Sequence, residues 1–261
     1  FPVCKDQLAL CDYVEKCFRE EKIRVDERQL QRYLDKQKYF PFRLLPWEKF
    51  LFALHNCVYR EDGLLRWPIS LVMVGRGAGK NGYLSFEAFS WITPVNGIRH
   101  YDVDIFATAE DQAKTSFEDV YQVLEDHKTE LERYFRWNKE VIANLKTGSR
   151  IRFRTSGVKT KDGGRPGAVV FDEFHAYENY KMVDVARTGL GKKPMPRQTI
   201  MLLDDYETVL AALFALKTKE REDYISECKM REAIGQPHNN VPCMVIDVLQ
   251  RIWKSVFPQR D

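Results

Sequence analysis

Apolar positions change their spacing along this chain, and the change divides it. From residue 6 to 37 the spacing is helical. Leu8, Cys11, Tyr13, Cys17 and Phe18 form an irregular stripe, and "DERQLQRYLDKQ" opens on an acidic first turn. Two prolines in "YFPFRLLPW" (39–47) stop the helix, because proline removes an amide donor and clashes with the preceding turn. "WEKFLFALHNCVY" resumes it, with Phe50, Leu51, Leu54 and Val58 on one face, and the Asp-Gly pair in "REDGLLRW" reads as a loop or hairpin.

Beyond that loop, short continuous apolar runs alternate with helical stretches. "ISLVMV" (69–74) reads as a buried strand and "KNGYLSFEAFSWI" (80–92) as a helix. "DVDIFAT" (102–108) is a strand, and 109–135 a long helix or a broken pair. "VIANLKTGSRIRFRTS" (141–156) gives two strands about a Gly-Ser turn, and "GAVVFDE" (167–173) and "RQTIML" (197–202) one strand each. Residues 206–234 and 244–256 return to helical spacing. Alternating strands and helices predict an α/β fold, a mostly parallel sheet with helices on both faces. Its expected divisions are an N-terminal helical region over 1–46, a core over 47–205 and a C-terminal helical addition over 206–261.

Bulk composition narrows the class only slightly. With 261 residues, 44% hydrophobic and 30% charged, the chain is ordinary globular material. A net charge of +3 is too small to argue for nucleic-acid binding, so local basic runs must carry any such argument. The six cysteines form no C-x-x-C pair, which points to reduced thiols rather than a zinc site or disulfide framework. No apolar run reaches membrane-spanning length, and no signal peptide is expected.

The chemistry sits at the ends of two strands. "GRGAGKN" (75–81) joins a strand to a helix. Successive amides in such a turn face an anion, and the helix dipole adds to them. Gly75, Gly77 and Gly79 permit the tight path, Ala78 lies within it, Lys80 can reach the β and γ phosphates, and Arg76 puts a second cation in the loop. Two positions depart from G-x-x-x-x-G-K-[ST]. Val74 replaces the first glycine, and Asn81 offers Mg²⁺ an amide oxygen where a hydroxyl is usual. The second motif is "AVVFDEFH", whose Asp172 and Glu173 end a strand where open α/β sheets bind ligands. Asp172 suits a metal ligand and Glu173 the base that deprotonates the attacking water. His175, next but one, suits a sensor or coupling residue.

In order, "FRLLPWEKFLFAL", "DGLLRW", "GRGAGKNG", "IFATAEDQAK" and "GGRPGAVVFDEFHAYEN" resemble the large terminase subunit of tailed bacteriophages, the motor that packages DNA. The resemblance covers roughly residues 1–205. It implies a P-loop NTPase core of the ASCE/RecA-like kind and Mg²⁺-dependent ATP hydrolysis, with Glu173 and Arg76 catalytic and Asp172 on the metal. Trp47 and Glu48 stand at the adenine-side motif, Glu48 replacing the family's Gln. Its implied partners are double-stranded DNA, a portal on a procapsid, a small terminase subunit and further copies in a ring, without a membrane, in the cytoplasm of the infected bacterial host. Candidates for an arginine acting on a neighbouring subunit are Arg165, Arg187 and Arg197. Candidate DNA-gripping stretches are 146–154, 159–165 and 191–197. The family's Ser/Thr-rich coupling motif does not follow "RQTIM"; either it is lacking or a loop is missing there. The family's nuclease domain is expected beyond this chain. Two other readings fit parts of the pattern: a DExH-type helicase of superfamily two, and a nonenzymatic nucleotide-binding assembly module.

Overall fold

A computed structural model describes residues 5–74, 77–107, 110–155, 165–174, 181–191 and 199–205. The described helices are α1 (Lys5–Glu20), α2 (Glu27–Leu34), α3 (Pro46–Cys57), α4 (Lys80–Ile92), α5 (Glu110–Asp126), α6 (Lys128–Leu131) and α7 (Lys181–Gly191). The strands are β1 (Ile23–Val25), β2 (Val58–Arg60), β3 (Ile69–Val74), β4 (Val103–Ala107), β5 (Phe135–Trp137), β6 (Val141–Asn144), β7 (Arg150–Thr155), β8 (Ala168–Phe171) and β9 (Thr199–Asp205).

Seven strands form the central sheet in the order β3-β9-β8-β4-β7-β6-β5. From β3 to β7 the pairs are parallel, while β7-β6 and β6-β5 are antiparallel. The parallel part is the predicted α/β core, and the antiparallel part is a meander on its far edge.

One face of this sheet carries the main apolar core. Val72, Val103, Ile105, Ile151, Val170 and Met201 meet Phe86, Phe89 and Trp91 of α4 and Phe117 and Val120 of α5. Burial of each such side chain stabilises the fold by about 1.5–3 kcal/mol. Helix α4 is buried without a break from Tyr83 to Ile92, as expected of a helix with almost no charge around its circumference. Its one acid, Glu87, is fully buried and partnered. Its Oε1 meets His55 Nδ1 at 2.8 Å and accepts from Asn56 Nδ2 at 2.5 Å. Trp91 Nε1 donates to Asn56 Oδ1 at 2.6 Å. This network pins α3 against α4, and so fixes the start of α3 relative to the start of α4.

Three expectations from sequence are corrected. The helical reading of 6–37 is interrupted by β1, which pairs antiparallel with β2. Segment 109–135 is not helical to its end, since α6 stops at Leu131 and β5 follows. The strand read as 197–202 runs instead through Asp205, keeping parallel register with β3 to its last residue. The C-terminal helical segments at 206–234 and 244–256 lie outside the described residues.

Candidate nucleotide-binding site

Strand β3 delivers the chain to the glycine-rich loop, and α4 leaves it at Lys80. Gly75 and Arg76 lie outside the described residues. Gly77 and Gly79 have φ of +75° and +93°, left-handed values that an L side chain adopts only with strain. Gly79 is also the N-cap of α4, and a Cβ there would sit 3.3 Å from Glu48 Oε1. Gly79→Ala is therefore expected to lower the unfolding free energy by about 1–2 kcal/mol. The shift would be read in the urea midpoint, and an unchanged midpoint would show that the loop does not need this turn.

Strand β8 ends beside the loop. The amide of Asp172 still donates to Phe106 O of β4 at 2.9 Å, so the register of the sheet holds one residue past the strand. Glu173 then turns into the left-handed region at φ +48°, uncommon for a residue other than glycine. Its amide donates to Asp172 Oδ1 at 3.0 Å. The turn swings the second carboxylate back toward α4, where the Lys80 ammonium meets both acids: Asp172 Oδ1 at 3.0 Å, and Glu173 Oε1 in a short charged contact.

The electrostatics follow from burial and this bridge. Burial raises the affinity of the Asp172 carboxyl for a proton, and Lys80 opposes that only in part. Burial alone would disfavour the Lys80 ammonium, but Asp172 and Glu173 outweigh it and hold the lysine above its ordinary range. Lys80 therefore carries its charge throughout the physiological range.

Trp47 and Glu48 arrive on the first turn of α3. Pro46 occupies the first helical position, where its missing amide costs nothing, and Glu48 Oε2 accepts from Leu45 N at 2.6 Å. Glu48 is 4% exposed, and burial raises its affinity for a proton. The Trp47 ring lies 6.4 Å from that of Tyr83, one turn into α4. The structure thus brings Lys80, Asp172 and Glu173 into contact and sets Glu48 against Gly79. Ala78 lies between the two left-handed glycines, and Asn81 in the first turn of α4.

Residues 46–203 match the family model described as "Terminase large subunit, ATPase domain". The chain belongs to this family. As a large-terminase ATPase domain it is a nucleotide-binding ATP hydrolase. Among solved structures, the large terminase of bacteriophage HK97 superposes with a TM-score of 0.58 at 14% identity, over 72% of this chain and 40% of that one. The large-terminase ATPase domain of Thermus phage P74-26 gives 0.49 at 13% identity, over 65% and 68%. The large terminase of the thermophilic bacteriophage D6E gives 0.41 at 10%, over 60% and 44%. The first of these supports the P-loop NTPase fold. The chain spans 40% of the HK97 protein. No curated protein matches it. Among the described residues, no helix is long and apolar enough to cross a membrane.

Of the predicted DNA-gripping stretches, most of 159–165 and 191–197 lies outside the described residues, as do His175 and Arg197; Arg165 is described and exposed, and Arg187 falls within α7. In 146–154 two arginines are tied to acids. Arg152 pairs with Asp102 and Asp104, both at 3.1 Å, and Arg154 with Asp104 at 2.9 Å. The sequence had hidden this, because Asp104 of β4, with Asp102 just before it, meets the arginines of β7 only when the two strands pair.

Proposed function

We propose that this domain couples ATP hydrolysis to movement of double-stranded DNA into a procapsid. The observation that supports this reading most directly is the meeting of Lys80, Asp172 and Glu173 at the mouth of a glycine-rich loop in a terminase-family chain. In it, the amides of 75–81 and the Lys80 ammonium hold the triphosphate. Trp47 and Glu48 lie on the base side. Arg76 meets charge developing on the γ-phosphoryl group. Glu173 accepts the proton of the attacking water on its carboxylate, and the short turn after β8 sets where that carboxylate lies.

The donor set fits Mg²⁺. Asp172 supplies a buried carboxylate, Asn81 an amide oxygen, and among the described residues no group of three or more His, Cys, Asp or Glu forms a protein cage. Sparse oxygen ligation completed by substrate phosphates is the usual habit of this ion. When bound, Mg²⁺ would neutralise charge on the β and γ phosphates; the chain's share is to orient it through Asp172 and Asn81.

The partners this reading brings are duplex DNA, a portal, a small terminase subunit and further copies of the chain in a ring, in the cytoplasm of an infected bacterium. Since Arg152 and Arg154 are tied to acids, isolated copies should hold DNA weakly, without sequence preference and with a strong dependence on salt. The test is ATP turnover with and without duplex DNA over a salt series, alongside strand separation on a forked substrate. Turnover stimulated by duplex, fading as salt rises, is expected. Unwinding of the fork would replace the packaging reading with a helicase, and no turnover at all would leave a binding module.

A further inference from the structure

Helices α3 and α4 lie side by side and run in the same direction. Near their starts the Trp47 ring is 6.4 Å from that of Tyr83. In the middle the rings of Phe52 and Phe86 are 5.3 Å apart. Near their ends His55 and Asn56 meet Glu87, and Asn56 meets Trp91. An apolar seam tolerates repacking, so it holds two helices together without fixing how far one slides along the other. A buried polar contact does fix it, because sliding leaves its atoms unpaired.

Glu87 is the centre of that polar contact. It is fully buried, and its Oε1 serves both His55 Nδ1 and Asn56 Nδ2. His55 Nε2 reaches the other way, 3.4 Å from the carbonyl of Pro68, the residue before β3. The group therefore ties α3 both to α4 and to the entry of the strand that leads into the phosphate loop. The second oxygen, Glu87 Oε2, is buried with no hydrogen-bond partner among the described residues. Apolar side chains of similar volume often replace a buried charged pair without loss of stability. Stability alone thus explains this acid poorly, and register explains it better.

Register has a consequence at the site. Glu87 lies about two turns beyond Lys80 on α4, and His55 about two turns beyond Glu48 on α3, roughly 10 Å along each helix. We propose that Glu87 is a positioning residue for the nucleotide. By fixing the register of α3 on α4 it sets the span between the turn of Trp47 and Glu48 and the turn of Lys80. It touches no ligand itself. This rests on the reading of the site given above, in which that turn of α3 faces the base.

The experiment compares ADP with pyrophosphate, which has the phosphates and no base. Both are titrated by calorimetry into the wild-type chain, the double variant His55→Met with Glu87→Met, Glu87→Gln and Phe86→Leu. The readout is the ratio of the two affinities, which a loss of stability alone does not move. The double variant is expected to bind ADP about tenfold more weakly, the worth of one well-placed hydrogen bond. Its pyrophosphate affinity should stay within about twofold, which also shows that it is folded. Glu87→Gln keeps an oxygen for Asn56 and should keep most of the ratio. Phe86→Leu opens the same helix contact without touching the polar group; it should lower the urea midpoint and leave the ratio unchanged. A wild-type ratio in the double variant, or an equal shift in Phe86→Leu, overturns the inference and leaves the functional reading intact. If the double variant also loses pyrophosphate, Glu87→Asp decides, since it keeps the charge and draws it back by one methylene. A shifted ratio there supports the inference, and a wild-type ratio overturns it. A wild-type chain that binds ADP no more tightly than pyrophosphate, or binds neither, overturns the reading of the site and the inference with it.

Discussion

Glu173→Gln is expected to abolish turnover while leaving ATP bound. The amide is nearly isosteric but cannot take the proton of the attacking water, so kcat should fall by about 10²–10⁴. The structure adds a second expectation. Glu173 and Asp172 both hold the Lys80 ammonium, and a γ-phosphate entering the loop must compete with them for it. Gln at 173 removes one competitor. ATP binding should therefore tighten, by about two- to fivefold, as turnover is lost. Phosphate release and calorimetric ATP titration read the two effects separately. Wild-type turnover in the variant would remove Glu173 from the role of base. Lost turnover with lost binding would assign it to holding the loop together instead.

Lys80→Ala has an effect of similar size in the opposite place. Removing an ammonium that makes charge-assisted contacts to phosphate should cost about 3 kcal/mol of binding, or about a hundredfold in Kd. Turnover should fall to background. The variant should also change how stability depends on pH. Burial already raises the proton affinity of the Asp172 carboxyl, and Lys80 is the cation that opposes it. Without the lysine the folded-state value rises further above the unfolded one. A raised acid contributes stability fully present below the unfolded value, near the ordinary carboxylate range, and lost as pH rises through the folded value. Lys80→Ala should thus approach wild-type stability in mild acid and fall below it toward neutrality. Urea unfolding at several pH values measures this. A stability deficit independent of pH would show that Asp172 does not rely on Lys80.

The site was legible in one dimension. A buried strand, a glycine-rich turn with Lys80, and later an apolar strand ending in Asp172 and Glu173 are local patterns, each set by a few consecutive residues. They survive folding because β-branched apolar runs must be buried and because the glycines give the loop backbone freedom that other residues lack. Gly77 and Gly79 use that freedom, with φ of +75° and +93°. What failed was short or non-local. β1 is three residues long and forms only by pairing with β2, so nothing in its own pattern outweighs the helical spacing around it. β5 exists because β6 lies beside it. The basic run on β7 looked like a surface for DNA until β4 was laid next to it.

By itself, then, the sequence determined the order of strands and helices, the loop, the acids and the family resemblance that the comparisons bear out. Burial, backbone freedom and charge act on neighbouring residues, and their consequences can be read along the chain. Only the tertiary structure decided which strand lies between the loop strand and the acid strand. Only it showed that Lys80 and Glu173, 93 residues apart, share a charged contact, and that Glu48 rests against Gly79. Strand order and register follow from the simultaneous packing of all the strands against α4 and α5. No local pattern encodes that choice, because each strand's apolar face would fit more than one neighbour until the rest of the sheet is in place.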